Sequence, residues 1–445
     1  MSAATDIDDY LHTEVGNILD ACTRCGACAE VCPVVPFSEA RTAGSVELVE
    51  GVTRSLGEDA PMPAASAAWV HGCNGCGDCI PACPEGVNPR KMLLHATIKE
   101  SARSSATPQL FRRMARSIKL MAAMQIVPAE YARLLATPRR READIVFYTG
   151  CNAVRTPHLL FNVMYVLDAL GADYEVLGGP SSCCGVIATK WEGEAKVGGR
   201  FTSNTLTRFN SFQPTKVLNW CPTCAVHLDE TMGGFAERHF DFDHVTDWLL
   251  ARSDDLKKLF TTPVRKRVVL HAHRGLPEVG RNVEALLRCI PGLELVETVL
   301  ESSYTCGGSG CNKTPALRDI EHDHLIERVH AHNADALVTL YHGCHMSFAH
   351  HEKDGHFEVL NFTDLLAQAA GMKPHVDQFK NYRLHEEWQA IVDEARPYLE
   401  HNGVDIDGDW LQKHGPEIFS VAEFRGGLDC LSTEPPRRQA PSNGS

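Results

Sequence analysis

The sequence lacks any run of 18 consecutive apolar residues, so no membrane-crossing helix is expected. The stretch Met1 to Tyr10 has neither the basic start nor the apolar core of a secretion signal, and a cytoplasmic location is expected. Positive charge is short: 43 Lys and Arg stand against 57 Asp and Glu, for a net charge of −14. Binding to a phosphate backbone needs concentrated positive charge, so nucleic acid is not an expected partner. No G-x-G-x-x-G opens a helix after a strand, and there is no P-loop. Gly178-Gly179 and Gly307-Gly308 lack the spacing, so no flavin or nicotinamide of its own is expected. What remains is ordinary globular composition over 445 residues, 44% hydrophobic and 22% charged, enough for two to four domains.

Cysteine, by contrast, is abundant, with 18 residues gathered in clusters. In a chain without a secretion signal such clusters read as metal ligands rather than disulfides. The run Cys22-x2-Cys25-x2-Cys28-x3-Cys32-Pro33 is repeated as Cys73-x2-Cys76-x2-Cys79-x3-Cys83-Pro84. A cubane [4Fe–4S] cluster takes one thiolate per iron. Three thiolates spaced by two residues wrap one cluster, and the fourth of each run reaches the other. Cys22, Cys25, Cys28 and Cys83 are therefore expected on one cubane, and Cys73, Cys76, Cys79 and Cys32 on the second. Two zinc sites are the alternative, but two matched four-cysteine runs, each closed by proline, favour iron–sulfur.

Further along, Ile145–Gly150 reads as a buried strand, Leu159–Leu170 as an amphipathic helix and Tyr174–Leu177 as a second strand, which together make an α/β unit with a parallel sheet. Arg267–His271 resembles the strand at Ile145, and Ala336–Tyr341 resembles Lys216–Trp220. The offset is about 122 residues, so two tandem copies are expected. The first copy holds five cysteines at strand ends and turns: Cys151, Cys183-Cys184-Gly185, and Cys221-x2-Cys224. Loops of an open α/β sheet converge on one edge, where five thiolates could hold a further cluster. Buried structural cysteine is the bland alternative, and the combined spacing argues against it.

The second copy keeps fewer ligands. Arg274 stands opposite Cys151, Thr305 opposite Cys183 and Ser347 opposite Cys224, which leaves Cys306 and Cys344, with Cys311 nearby. His271, His273, His342 and His345 could complete a zinc site with these thiols. An empty pseudo-site kept for packing is the other reading, and His342 and His345, flanking Cys344, are the favoured ligands. His322, His324, His330 and His332 read as the solvated face of a polar helix. Between the cysteine-rich start and the first copy, a basic, Met-bearing helix is expected to stop near Pro128, with a basic turn at Arg139 to Arg141. It could touch an anionic membrane surface, but its charges form no continuous stripe, and docking between domains or onto a partner is favoured.

Over roughly residues 15 to 375 these motifs make the chain resemble the D subunit of heterodisulfide reductase, and also the iron–sulfur subunit of glycolate oxidase and a related lactate-utilisation protein. The resemblance implies an α+β multidomain fold: an α-helical two-cluster ferredoxin domain followed by two pseudo-repeated α/β CCG domains. It implies a noncubane [4Fe–4S] cluster at Cys151, Cys183, Cys184, Cys221 and Cys224, where disulfide is cleaved in heterodisulfide reductases. That role does not extend to the second copy. It also implies a flavoprotein partner, either a dehydrogenase or a flavin-containing electron-transfer subunit. The expected divisions are 1–106 (ferredoxin), 107–143 (basic linker), 144–262 (first repeat), 263–430 (second, degenerate repeat with an extension) and 431–445 (disordered tail). The expected function is an oxidoreductase subunit that relays electrons between a flavoprotein and an acceptor. The alternative is catalytic disulfide or thiol reduction at the five-cysteine cluster.

Overall fold

A computed structural model describes residues 6–58, 60–104, 110–135, 142–306, 313–353 and 356–418. Cys311, the basic turn and the tail lie outside the described residues. Among the described residues no helix is long and apolar enough to cross a membrane.

The N-terminal part is helical. The helix Ile7–Ala21 starts on Asp6, whose carboxylate accepts from the Asp8 amide at 2.8 Å, and Asp8 and Asp9 complement its positive end. Helices Ser45–Gly57, Ala64–Gly72 and Pro89–Ser104 complete the bundle around Leu48, Val52, Trp69, Met92 and Leu93. Each cysteine run begins where a helix ends: Cys22 caps Ile7–Ala21 and Cys73 caps Ala64–Gly72. Gly26 (φ 86°) and Gly77 (φ 82°) turn the two loops through the left-handed region, which glycine enters freely.

The linker differs from the sequence expectation. Its first helix, Leu110–Ala123, stops before Pro128, and Pro128 opens a second helix, Pro128–Leu135. Proline suits a first helical position because no amide is needed there. Met114 and Ile118 are buried in the α/β core, while Leu120, Met121 and Met124 pack against the C-terminal helices Gln378–Leu384 and Trp388–His401. Docking within the chain thus occupies the apolar face of this helix.

Two four-stranded parallel sheets follow. β1 (Ile145–Gly150), β2 (Tyr174–Gly178), β3 (Lys216–Asn219) and β4 (Asp241–His244) lie in the order β2-β1-β3-β4. β5 (Arg267–His273), β6 (Glu294–Glu301), β7 (Ala336–Thr339) and β8 (Glu358–Asn361) repeat it as β6-β5-β7-β8. Every pairing is parallel. β1 is buried along its whole length, as expected of a strand covered on both faces. The duplication reaches the caps. After β4, His244 and Asp247 form a capping box, and after β8, Asn361 and Asp364 do the same. The two sheets share one continuous core, within which Trp220 stacks on Phe362 with centroids 5.8 Å apart.

Candidate iron–sulfur and metal centres

The two N-terminal cysteine loops face each other. Cys22, Cys25 and Cys28 line one cavity together with Cys83 from the other loop, and Val49, Val87 and Met92 supply its apolar wall. Burial, then the neighbouring Cys22 and Cys83, push the Cys28 thiol up to about 12. On the other side burial raises Cys79 further, and Cys73, Cys76 and Cys32 act on it as well. Cys32 accepts a hydrogen bond from the Trp69 indole at 3.3 Å. Eight sulfurs in two interleaved groups of four, each crowding its own members, fit a donor set for two cubane clusters. The crowding that resists free thiolates is what a cationic iron core would relieve.

The five cysteines of the first repeat are all buried at the carboxyl edge of its sheet, the edge where open α/β sheets bind ligands. Cys151 follows β1, Cys183 and Cys184 follow β2, and Cys221 and Cys224 follow β3. Their sulfurs form an unbroken series of contacts: Cys151 to Cys183, Cys183 to Cys184, Cys184 to Cys224, and Cys224 to Cys221. Contacts with Cys183 and Cys224 bring the Cys184 thiol down to about 6, and Cys224 lowers Cys221. The backbone holds this arrangement: Thr202 donates to the Cys184 carbonyl at 2.7 Å and Thr205 to that of Cys183 at 2.8 Å. Gly185 donates its amide to Cys183 Sγ at 3.4 Å. Tyr148 Oη donates to the Ser182 carbonyl at 2.9 Å and lies 3.7 Å from Cys224 Sγ. Gly150 (φ 72°) lets the two strand-end cysteines come close, since a Cβ there would stand only 2.9 Å from Cys221 Cβ and 3.2 Å from Cys224 Sγ. A π-helical turn follows each cysteine pair, Ile187–Trp191 and Val226–Thr231, an irregularity frequent at functional sites. The donor set and the close approach at Gly150 fit a cluster bound by several thiolates.

Strand register corrects the match between the copies. Ile145 pairs with Lys216, and Val268 pairs with Ala336, so Tyr148, Gly150 and Cys151 correspond to His271, His273 and Arg274. Cys221 caps the helix after β3 and Tyr341 caps the one after β7, so Cys344 takes the place of Cys224 rather than Cys221. Ser347 has no cysteine counterpart.

The imidazoles His271 and His273 join Cys306 and Cys344. These four buried residues place one donor atom each within 4.8 Å of all the others. His273 Nε2 is 3.0 Å from Cys344 Sγ and 3.7 Å from Cys306 Sγ, and His271 Nε2 is 3.8 Å from Cys306 Sγ. Glu301 stands 3.1 Å from His271 Nε2. Burial would lower His271, but Glu301 and Cys344 raise it to about 10. His342 and His345 are not part of the group: His345 Nε2 instead contacts Asp377 Oδ2 at 2.6 Å. Successive helical residues point about 100° apart, so flanking Cys344 carries the imidazoles away from its sulfur. Residues i and i+2 of a strand share a face, and the signal that singles out the right pair is His271-x-His273. His322 also departs from the solvated reading. It lies 3.7 Å from Glu301 and packs on Phe348 at 4.5 Å, whereas His324 and His330 are exposed.

Residues that the sequence analysis passed over join the parts. Arg90 donates to the Gly75 and Gly275 carbonyls, each at 2.8 Å, and pairs with Glu230. Asn74 donates to Ser302 at 2.8 Å, and the Tyr304 ring covers Gly75. A cavity runs between the centres, lined by Cys73, Gly75 and Arg90 on one side and by Val186, Lys190, Thr223 and His227 on the other. No local spacing marks these residues, because their partners are distant in sequence.

Residues 9–87 match the family model described as "4Fe-4S dicluster domain", and residues 145–229 match "Cysteine-rich domain". A relative from Methanosarcina acetivorans, the D subunit of dihydromethanophenazine:CoB--CoM heterodisulfide reductase, is 26% identical across 80% of this chain and 94% of its own length. The protein of that name from Methanosarcina barkeri is 26% identical with the same coverage. The B subunit of fumarate reductase (CoM/CoB) from Methanothermobacter marburgensis is 23% identical, over 81% of this chain and 74% of its own. The chain thus carries an iron–sulfur dicluster domain ahead of a cysteine-rich domain and is similar to the D subunit of heterodisulfide reductase.

Proposed function

We propose that this chain is the electron-transfer subunit of a reductase complex, linking a flavoprotein partner to an acceptor. The observation that carries the reading is the cavity shared by the Cys73 loop and the shell of the five-cysteine site, Val186, Thr223 and Val226. It supports a short path between the two centres. Cys22, Cys25, Cys28 and Cys83 would hold one cubane and Cys73, Cys76, Cys79 and Cys32 the other. Cys151, Cys183, Cys184, Cys221 and Cys224 would hold a noncubane cluster. When bound, such clusters supply one-electron carriers whose potentials span about −700 to +450 mV. The protein's part is to fix their spacing and to exclude water. Burial of Cys28, Cys76 and Cys79 does this at the first two centres, and complete enclosure of the five sulfurs does it at the third.

A second reading is reduction of a disulfide or thiol adduct at the five-cysteine site. It is supported by Cys184 and Cys221, whose thiols are held toward the nucleophilic thiolate, and by the names of the relatives.

Anaerobic iron and sulfide analysis of the full chain should give about twelve irons; about eight would leave only the cubanes. Cys184→Ser should bring the count to about eight. Its cubane absorption should still bleach with a reduced flavoprotein partner while transfer to the acceptor is lost. Failure of any cubane to bleach in the wild-type complex would overturn the relay. Disulfide reduction that survives Cys184→Ser would reject the second reading.

A further inference from the structure

The degenerate copy has lost its cluster ligands in a directed way. At Gly150 the first copy carries no side chain, and a Cβ there would stand 2.9 Å from Cys221 Cβ and 3.2 Å from Cys224 Sγ. At the equivalent place the second copy carries His273, whose Nε2 reaches to 3.0 Å from Cys344 Sγ. At the place of Tyr148 it carries His271. Two imidazoles thus stand where the first copy has a tyrosine and a glycine, and their donor atoms lie within 4.8 Å of the sulfurs of Cys306 and Cys344.

We propose that His271, His273, Cys306 and Cys344 bind one redox-inert divalent ion of the zinc class. A tetrahedral ion with bonds of about 2.3 Å to sulfur and about 2.0–2.1 Å to nitrogen sets its sulfur and nitrogen donors about 3.6 Å apart. The measured separations of 3.0, 3.7 and 3.8 Å bracket that edge. Two thiolates and two neutral imidazoles cancel the charge of a dication, and binding releases the protons those groups carry. The mixed nitrogen and sulfur set suits zinc better than calcium or magnesium, which prefer oxygen.

The outer contacts match a built site. Ser303 Oγ lies 3.0 Å from His273 Nδ1, which leaves Nε2 to face the thiols. His271 Nδ1 is buried without a hydrogen-bond partner, and Glu301 Oε2 lies 3.1 Å from His271 Nε2 and 3.8 Å from Cys306 Sγ, on the side of the ring that faces the thiols. Glu301 and His322, which face each other, form a second rank of donors around Cys306. Among the described residues the four buried donors already complete a tetrahedral set, and the role is structural. The ion would rivet β5, the loop after β6 and the helix after β7. That loop is the one whose Ser302 and Tyr304 brace Asn74 in the cubane loop.

This inference stands apart from the electron-transfer reading, because its readout is zinc rather than turnover. Full-length protein purified without added zinc should contain about one zinc per chain alongside its iron. The X-ray absorption edge of that zinc should fit two nitrogens and two sulfurs. His273→Ala and Cys344→Ser should each lose the zinc and keep the iron and sulfide of the parent. Zinc far below one per chain, an all-oxygen shell, or loss of about four irons in Cys344→Ser would overturn the assignment. If either variant fails to fold, the absorption spectrum of the unaltered protein decides alone.

Discussion

Gly150 and His273 hold the same place in two copies of one sheet, and a single side chain separates what each pocket can enclose. Gly150→Ala adds a methyl 2.9 Å from Cys221 Cβ, on a backbone with φ 72°. That left-handed conformation costs an L-residue about 1–2 kcal/mol. Iron content should fall toward about eight per chain with the fold retained, as read by anaerobic iron assay and far-ultraviolet circular dichroism. Undiminished iron would show that the close approach of Cys221 and Cys224 at Gly150 is not needed. The N-terminal cysteine ladders were legible in sequence because their spacing is local. The second-copy ligands were legible only as a pool of histidines and thiols. Choosing among them requires the strand register, and the offset shifts between β5 and the helix after β7.

At the scale of elements, the strands were the legible part. β1, β3, β5 and β7 fall where short apolar runs placed them, because a strand covered on both faces must be apolar throughout. The linker was less legible. The first linker helix stops before Pro128 as expected, but the second helix, which Pro128 opens, was not foreseen, since proline is compatible with both events. The contacts between helices could not be foreseen at all. Asp377 shows this: it reaches His345 at 2.6 Å and His158 at 3.4 Å, and so joins the second repeat to the helix Pro157–Ala169 of the first. Burial alone would raise this carboxyl; His158 and His345, with Lys380 nearby, hold it below the usual carboxylate range. A folded-state value below the unfolded one near 3.9 gives stability that is present above that pH and lost as pH falls toward the folded value. Asp377→Asn should therefore cost about 2 kcal/mol near neutral pH. Its deficit against the parent should shrink below about pH 4. Paired denaturation curves check this, since acid damage common to both proteins cancels in the difference. A deficit that grows with acidity would refute it.

For the molecule as a whole, one buried arginine holds three parts together. Arg90 comes from the N-terminal bundle, Glu230 from the first repeat and Gly275 from the second. Arg90→Ala leaves the Gly75 and Gly275 carbonyls without this donor and Glu230 with Asn88 alone, at a cost of about 1–3 kcal/mol. Amide hydrogen exchange should speed up at Asn74 to Cys76 and around Gly275 and Tyr304, while the interior of β1 stays protected. Unchanged protection at those loops would show that the joint is held by other contacts.

The fit around Tyr304 bears on how such a protein can be rebuilt. Its aromatic ring lies against Gly75 of the bundle and its Cβ against Gly275 beside β5, and a methyl on either glycine would run into this tyrosine. The front lobe is therefore not an interchangeable cartridge. A chimera that borrows it from another chain must import Asn74, Gly75 and Arg90 together as a matched key, or else redesign the lock at Ser302, Tyr304 and Gly275.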